Sequence, residues 1–335
     1  MYDISFLVNN IDLKKAFIKD KSNFNYDVLE EEIIDEERVQ SETSDLDKDI
    51  EFDLDLSDDQ VAQRFQYRNE LFKEECGQSS SLGPVTRTDL NFTIASLSNV
   101  FYDDKYKIIM CAVPKAATSN WQRVLAVLKY DGKVDPSHFH HSNLYNQLNR
   151  FSHLAELGEE EAKSEILKRI NDPTYIKFMN VRHPLSRLVS AWRDKFRRTA
   201  SGMSYWMRKY GKFINAKFGR DEYPIPDDYF VSLPAFLDYV AWVGRDERYD
   251  HHWKSFNYHC RPCQLKFDYI TKAETSKQDA DFILKRANIS DIPNVSLPEM
   301  YDSSPLKSHS PEDYYVNVSH VTIERLHHAY RNDFR

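Results

Sequence analysis

Glycine is scarce in this chain: 8 glycines and 13 prolines among 335 residues exclude collagen-like repeats and low-complexity linker arrays. No run approaches the roughly 18 to 20 apolar residues that a membrane span requires. The opening MYDISFLVNNIDLKKAFIKD has no basic start, no long apolar centre and no small-residue cleavage site, so it does not read as a signal peptide. The phosphate-loop pattern GxxxxGKS or GxxxxGKT is absent, which disfavours a Walker-type ATP site. Cysteine is also sparse. Cys76, Cys111, Cys260 and Cys263 contain a single C-x-x-C, and a zinc site of that type calls for a second well-spaced pair. A redox motif should open a helix after a strand, whereas Cys260 and Cys263 precede the strand-like QLKFDYI. Structural disulfides are the expectation, with the pairing open.

Aromatic residues, by contrast, are plentiful. The chain is 41% hydrophobic and 13% aromatic, with 20 Tyr, 20 Phe and 5 Trp, enough for one large core or two smaller ones. The net charge of −8 conceals a segregation. From Asp27 to Asp59 there are 16 acidic residues against Arg38 and Lys48, and the rest of the chain carries 43 basic against 37 acidic residues. A mildly basic body of this kind attracts anionic ligands. Four glycosylation sequons, at Asn91, Asn288, Asn294 and Asn317, favour a secretory-pathway lumen.

Three regions follow. Residues 1–60 form an acidic segment expected to be poorly ordered. Residues 61–84 hold a helix, starting near Asp58 and ending near Cys76, and the linker QSSSLGP. Residues 85–335 form the catalytic-looking body. There KIIMCAV (Lys107 to Val113) reads as a buried strand, Pro114 halts it, and NWQRVLAVLKY has helical spacing. TYIKFMNV (Thr174 to Val181) is a second strand, followed by a turn at RHP and a helix with Leu185, Leu188, Val189, Trp192 and Phe196 on its apolar stripe. HLAELGEEEAKSEILKRI (His153 to Ile170) reads as one charged surface helix between the two units. Beyond residue 200, helices are expected at Pro234 to Val243, Ser276 to Ala287 and His320 to Phe334, and a strand at Gln264 to Ile270. Strands alternating with helices specify an α/β fold with a central parallel sheet, here with a largely helical, aromatic-rich C-terminal part.

Two strand-to-helix junctions carry anion-seeking residues. The first is Pro114, Lys115, Ala116, Ala117, Thr118, Ser119 and Asn120, where a lysine and two hydroxyls meet the amides at a helix start. Alone, the same residues also fit a solvated turn lysine with Ser119 or Asn120 as N-cap. In the second, Arg182 ends a strand, and Ser190 lies eight residues on, about two helical turns later, with Arg187 between them. A guanidinium and a hydroxyl together grip a phosphate. A ligand bearing phosphates at two ends needs both sets.

These residues resemble the Golgi carbohydrate sulfotransferases that use 3′-phosphoadenosine-5′-phosphosulfate, PAPS. In that family a PK…S/T…W loop receives the 5′-phosphosulfate and an R-x-P-x-x-R-L-x-S segment the 3′-phosphate. This chain has PKAATSNW and RHPLSRLVS. HHWKSFNYHCRPCQLKFDYITKAET (His251 to Thr275) is similar to a segment of the group that includes the chondroitin and dermatan 4-O-sulfotransferases and the HNK-1 sulfotransferase. The resemblance runs from about Cys76 to the C-terminus. It implies a P-loop-like sulfotransferase fold. It also implies sulfuryl transfer from PAPS to a glycan hydroxyl, most closely the 4-OH of GalNAc in chondroitin or dermatan, with no metal and no nucleic-acid partner.

By that resemblance, Lys115 neutralises the bridging oxygen as 3′,5′-ADP leaves. Residues 114–120 hold the 5′ end, and Arg182, Arg187 and Ser190 hold the 3′ end. The acceptor hydroxyl needs a base, and among His138, His140, His141 and His153 the His140/His141 pair is favoured, with a carboxylate as the other option. Arg197, Arg198, Arg208 and Lys209 are available to a polyanionic acceptor. A Golgi-lumen location is implied, with membrane attachment only through an anchor outside these residues. A glycan-binding pseudoenzyme of the same fold, and an ATP-dependent kinase, are the competing readings.

Overall fold

The computed structural model describes residues 56–77, 84–198, 203–244, 250–297 and 311–334. The acidic segment up to residue 55 and most of the linker lie outside them. Four strands form one sheet in the order β1 (Val100–Asp103), β2 (Ile108–Ala112), β3 (Ile176–Val181) and β4 (Tyr269–Lys272). β2, β3 and β4 run parallel, and β1 is an antiparallel edge. The helices are α1 (Asp58–Glu75), α2 (Thr118–Lys129), α3 (His141–Gln147), α4 (Glu159–Ile170), α5 (Pro184–Lys195), α6 (Lys212–Phe218), α7 (Leu233–Val243), α8 (Phe256–Cys260), α9 (Pro262–Leu265), α10 (Ser276–Arg286), α11 (His320–Ala329) and α12 (Arg331–Phe334).

β2 is apolar throughout and buried throughout, as an inner strand of a parallel sheet must be. Its alternating side chains serve two layers. Ile109 and Cys111, with Met179 and Val181 of β3, join the core that contains Ala162, Ile166 and Ile170 of α4. Phe178 of β3 lies against Trp121 of α2, ring centroids 4.6 Å apart. The edge strand β1 carries no apolar run and is fixed by a turn. Asp103 Oδ1 accepts from the amides of Lys105 and Tyr106, each at 2.9 Å, and reverses the chain into β2.

Several boundaries differ from the sequence expectation. The segment His153 to Ile170 is not one helix: a 3₁₀ turn (Phe151–Leu157) ends at Gly158, whose φ of +89° breaks the chain before α4. The stretch Gln264 to Ile270 divides between α9 and β4, and the last helix divides at Tyr330 into α11 and α12.

The cysteines form two disulfides, Cys76–Cys263 and Cys111–Cys260. The first ties the end of α1 to the body. Arg64 and Arg68 of α1 also reach the buried Asp279 carboxylate of α10, at 2.6 and 2.7 Å. Helix α1 is thereby built into the body rather than hanging from a linker.

Candidate active site

The loop between β2 and α2 is held from beneath. The Ala116 amide donates to the Val113 carbonyl at 3.1 Å, and the Thr118 hydroxyl donates to the same oxygen. Asn180 of β3 donates its side-chain amide to the Ala116 carbonyl. With no glycine present, Lys115 and Ala117 themselves take left-handed backbone, φ +70° and +59°. Such a conformation costs on the order of 1 kcal/mol per residue, so the anchors below it matter. α2 begins with Ala117 at its N-cap and no side-chain cap. The amides of Lys115, Ala117, Thr118 and Ser119 donate to no described residue. Open amides at the positive end of a helix dipole make an anion cradle.

Individual loop residues take different roles. Pro114, Ala116 and Asn120 are buried, and Asn120 accepts from Arg123 at 3.2 Å. The Thr118 hydroxyl spends its proton on the loop itself, so it is a closing bond rather than a donor to a ligand. Ser119 is half-buried and keeps its hydroxyl proton.

Lys115 points to the second junction. Its ammonium is 2.8 Å from Asp194 Oδ2 near the end of α5, and Lys195 meets the same oxygen at 2.9 Å. Burial draws the Lys115 ammonium below its ordinary value, and Asp194 opposes that effect. Burial alone would raise Asp194, yet the two ammonium groups hold its carboxyl well below the carboxylate range. Arg182 donates to the Lys115 carbonyl at 3.4 Å, so the two predicted halves of the site converge. Ser190 is half-buried one turn before Asp194 on α5. The turn between β3 and α5 is fixed by Glu274, just after β4, whose carboxylate accepts from the His183 amide at 2.9 Å.

Arg187 does not join this set. It is fully buried, donates to the Lys254 carbonyl at 2.7 Å and lies 3.5 Å from the buried Asp333 carboxylate. Its guanidinium is sealed from solvent and braces the C-terminal helices, unlike the half-buried Arg182.

The histidines expected near the acceptor have little in the described structure that holds them in a site. His138 and His140 are exposed. The backbone of His141 opens α3, and its side chain lies outside the description. His153 is exposed beside Arg150, 2.6 Å away. Arg123 ties the Phe139 carbonyl to Asn120 at the start of α2, which keeps the His140 segment near the loop. Asp194 and Lys195 were not anticipated as site residues. The signal for them was their place at the end of the basic helix that starts at Arg182.

Two strand-to-helix junctions at the carboxyl ends of adjacent parallel strands, joined by a lysine and an arginine, place this site where α/β proteins commonly bind ligands. The chain belongs to the sulfotransferase family, whose model matches residues 98–335. It is 29% identical over 282 residues to carbohydrate sulfotransferase 8 of Mus musculus, covering 80% of this chain and 62% of that protein. It is 30% identical over 270 residues to carbohydrate sulfotransferase 10 of Danio rerio, covering 76% and 70%. Carbohydrate sulfotransferase 11 of Rattus norvegicus is 27% identical over 276 residues, covering 80% and 74%. The chain thus spans about three fifths of the first of these relatives. No solved structure matches it.

Proposed function

We propose that this protein transfers a sulfuryl group from PAPS to a glycan hydroxyl. The observation that carries the reading is the convergence of Lys115, Arg182 and the open amides of the loop on one cationic site. These residues fit the donor. The uncapped start of α2 offers amides to the 5′ end, and Lys115 offers a charge to the oxygen that departs. Arg182 and Ser190 offer a guanidinium and a hydroxyl to the 3′-phosphate. Sulfuryl transfer, like phosphoryl transfer, rests on alignment and on stabilising spread negative charge, which this set supplies.

The acceptor we infer is the 4-OH of GalNAc in chondroitin or dermatan, supported by the resemblance of the segment His251 to Thr275 and by the basic body. A Golgi lumen is supported by the two disulfides and by four exposed sequon asparagines. Within the described residues no helix is long and apolar enough to cross a membrane. The catalytic unit is taken as residues 85–335 with α1 bound to it.

Calorimetry with 3′,5′-ADP and with ATP tests the donor. Binding of 3′,5′-ADP in preference to ATP is expected, and the reverse preference would make the protein a kinase. Labelled PAPS offered with a glycan panel then identifies the acceptor. Donor binding with no transfer to any glycan would instead favour the pseudoenzyme.

A further inference from the structure

A second cluster of titratable groups adjoins Lys195. Asp250 Oδ1 lies 2.6 Å from His252 Nδ1 and also accepts from the His252 amide at 3.0 Å. Its other oxygen accepts from Trp206 Nε1 at 2.9 Å. The Trp206 ring stands edge-on to His252 with centroids 5.0 Å apart, and its face receives the Lys195 ammonium at 3.9 Å. A continuous path therefore runs from Lys115 through Asp194, Lys195 and Trp206 to His252.

Resting on the sulfotransferase reading above, we propose that His252 is the base that takes the proton of the acceptor hydroxyl, with Asp250 as its positioning residue. The carboxylate fixes the tautomer: Nδ1–H donates to Asp250, which leaves the Nε2 lone pair free to accept. No described residue bonds Nε2, and the ring keeps 13% of its surface exposed. The imidazole is neutral at working pH. Burial pulls it down to about 4, Lys195 and His251 add to that, and Asp250 opposes it. His140, by comparison, stands exposed at the start of α3.

The step balances. The acceptor oxygen forms a bond to sulfur as the bond from sulfur to the 5′-phosphate oxygen breaks. That oxygen leaves with the electron pair beside Lys115, and the hydroxyl proton passes to His252 Nε2.

The same three residues, Asp250, His251 and His252, have ligand atoms within 4.8 Å of one another, the spacing of a metal site. Two features favour the base. The short contact between His252 and Asp250 leaves no room for an ion between them, and the charge of Lys195 depresses both histidines.

The test uses the full chain with labelled PAPS and chondroitin, alongside calorimetry with 3′,5′-ADP. His252→Gln should lower kcat about 100-fold or more, the usual weight of a general base, with 3′,5′-ADP affinity within threefold of wild type. Asp250→Asn should lower kcat about tenfold, and Asp250→Glu should recover part of it. In the wild type, the acid limb of kcat/KM should fall below the ordinary histidine value of about 6.5, and it should vanish in any residual activity of His252→Gln. This measurement stands even where a variant folds poorly. The charged groups that face His252 in that titration are Asp250 and His251 beside it and Lys195 from α5.

Turnover of His252→Gln within threefold of wild type, or an acid limb at 6.5 or above, would overturn the assignment. So would loss of wild-type transfer on chelation with recovery on added zinc. A wild type that neither binds 3′,5′-ADP nor transfers sulfate fails at the donor reading and takes the base with it.

Discussion

Lys115 and Asp194 meet at 2.8 Å across 79 residues of chain, joining the loop after β2 to the end of the helix that follows β3. Lys195 shares the same carboxylate oxygen. Removing Lys115 therefore leaves Asp194 paired and strands no buried charge. Lys115→Ala should lower transfer by about 100- to 1000-fold, the range for losing one preorganised group at a developing anion. The urea midpoint should stay close to wild type. Undiminished sulfate incorporation would remove Lys115 from the chemistry, and a collapsed midpoint would make it a structural residue.

Arg182 and Arg187 look interchangeable in RHPLSRLVS, yet they do different things. Arg182 is half-buried at the loop, while Arg187 is sealed against Asp333. Arg182→Ala should weaken 3′,5′-ADP binding about tenfold or more, the loss of a charge-assisted phosphate contact, with little change in stability. Arg187→Ala removes the counter-charge of the buried Asp333, which keeps the bonds from Ser255 and the Phe256 amide, and should cost up to about 3–5 kcal/mol. Denaturant titration of both variants beside calorimetry checks the contrast, and equal stability of the two would refute it.

Strand β2 was legible because an inner parallel strand favours a continuous apolar run, and β3 was legible from its apolar residues Ile176, Phe178, Met179 and Val181 despite Lys177 and Asn180 between them. Helix α1 was legible from its stripe of Val61 and Phe65, which the structure buries. Edge strand β1 was not, since VFYD is half polar and its place depends on the Asp103 turn. The loop residues and Arg182 were singled out as anion-seeking sets at two strand-to-helix junctions, and the structure brings Arg182 against the Lys115 carbonyl. The burial of Arg187 was not legible, because the pattern that puts an arginine on α5 does not say which face of the helix it occupies. Asp194 and Asp250 escaped notice for a related reason, and Lys195 and His252 drew attention only as part of a basic helix side and as a neighbour of the C-x-x-C. They are brought together by tertiary packing, and nothing in the spacing between residues 195 and 250 announces it.

Stability should fall in mild acid. His259 is fully buried between Asn99 and the His251 carbonyl, at 2.8 and 2.9 Å. Asn99 donates to Nδ1, so Nε2 carries the only ring proton, and burial holds the imidazole far below its ordinary value. Burial, aided by Lys272 and Arg182, pulls His183 down to about 4. Between these values and about 6.5 the unfolded chain binds more protons than the folded one, so stability rises with pH through that window and is lost as pH falls. Each such histidine should cost roughly 1 kcal/mol between pH 7 and pH 5.5. Urea titrations at the two pH values measure this, and a flat or inverted dependence would contradict the neutral, buried assignment. His183→Gln should reduce the slope.

The two disulfides close stretches of similar length, with separations of 149 and 187 residues, so loop entropy alone predicts nearly equal losses of about 2–5 kcal/mol. Their surroundings predict a difference. Cys76 ends α1, which stays attached through Arg64 and Arg68 to Asp279 and through Asn69 to the Asp268 carbonyl. Cys111 is a buried residue of β2, three before Pro114, and Cys260 follows His259, whose ring holds the His251 carbonyl. Replacing Cys76 and Cys263 by alanine should therefore leave 3′,5′-ADP binding within about threefold. Replacing Cys111 and Cys260 by alanine should loosen both the donor loop and the segment bearing His252, with binding and turnover falling together. Calorimetry and transfer assays on the two double variants decide the matter, and equal functional loss in both would show that the bond to β2 has no special hold on the site.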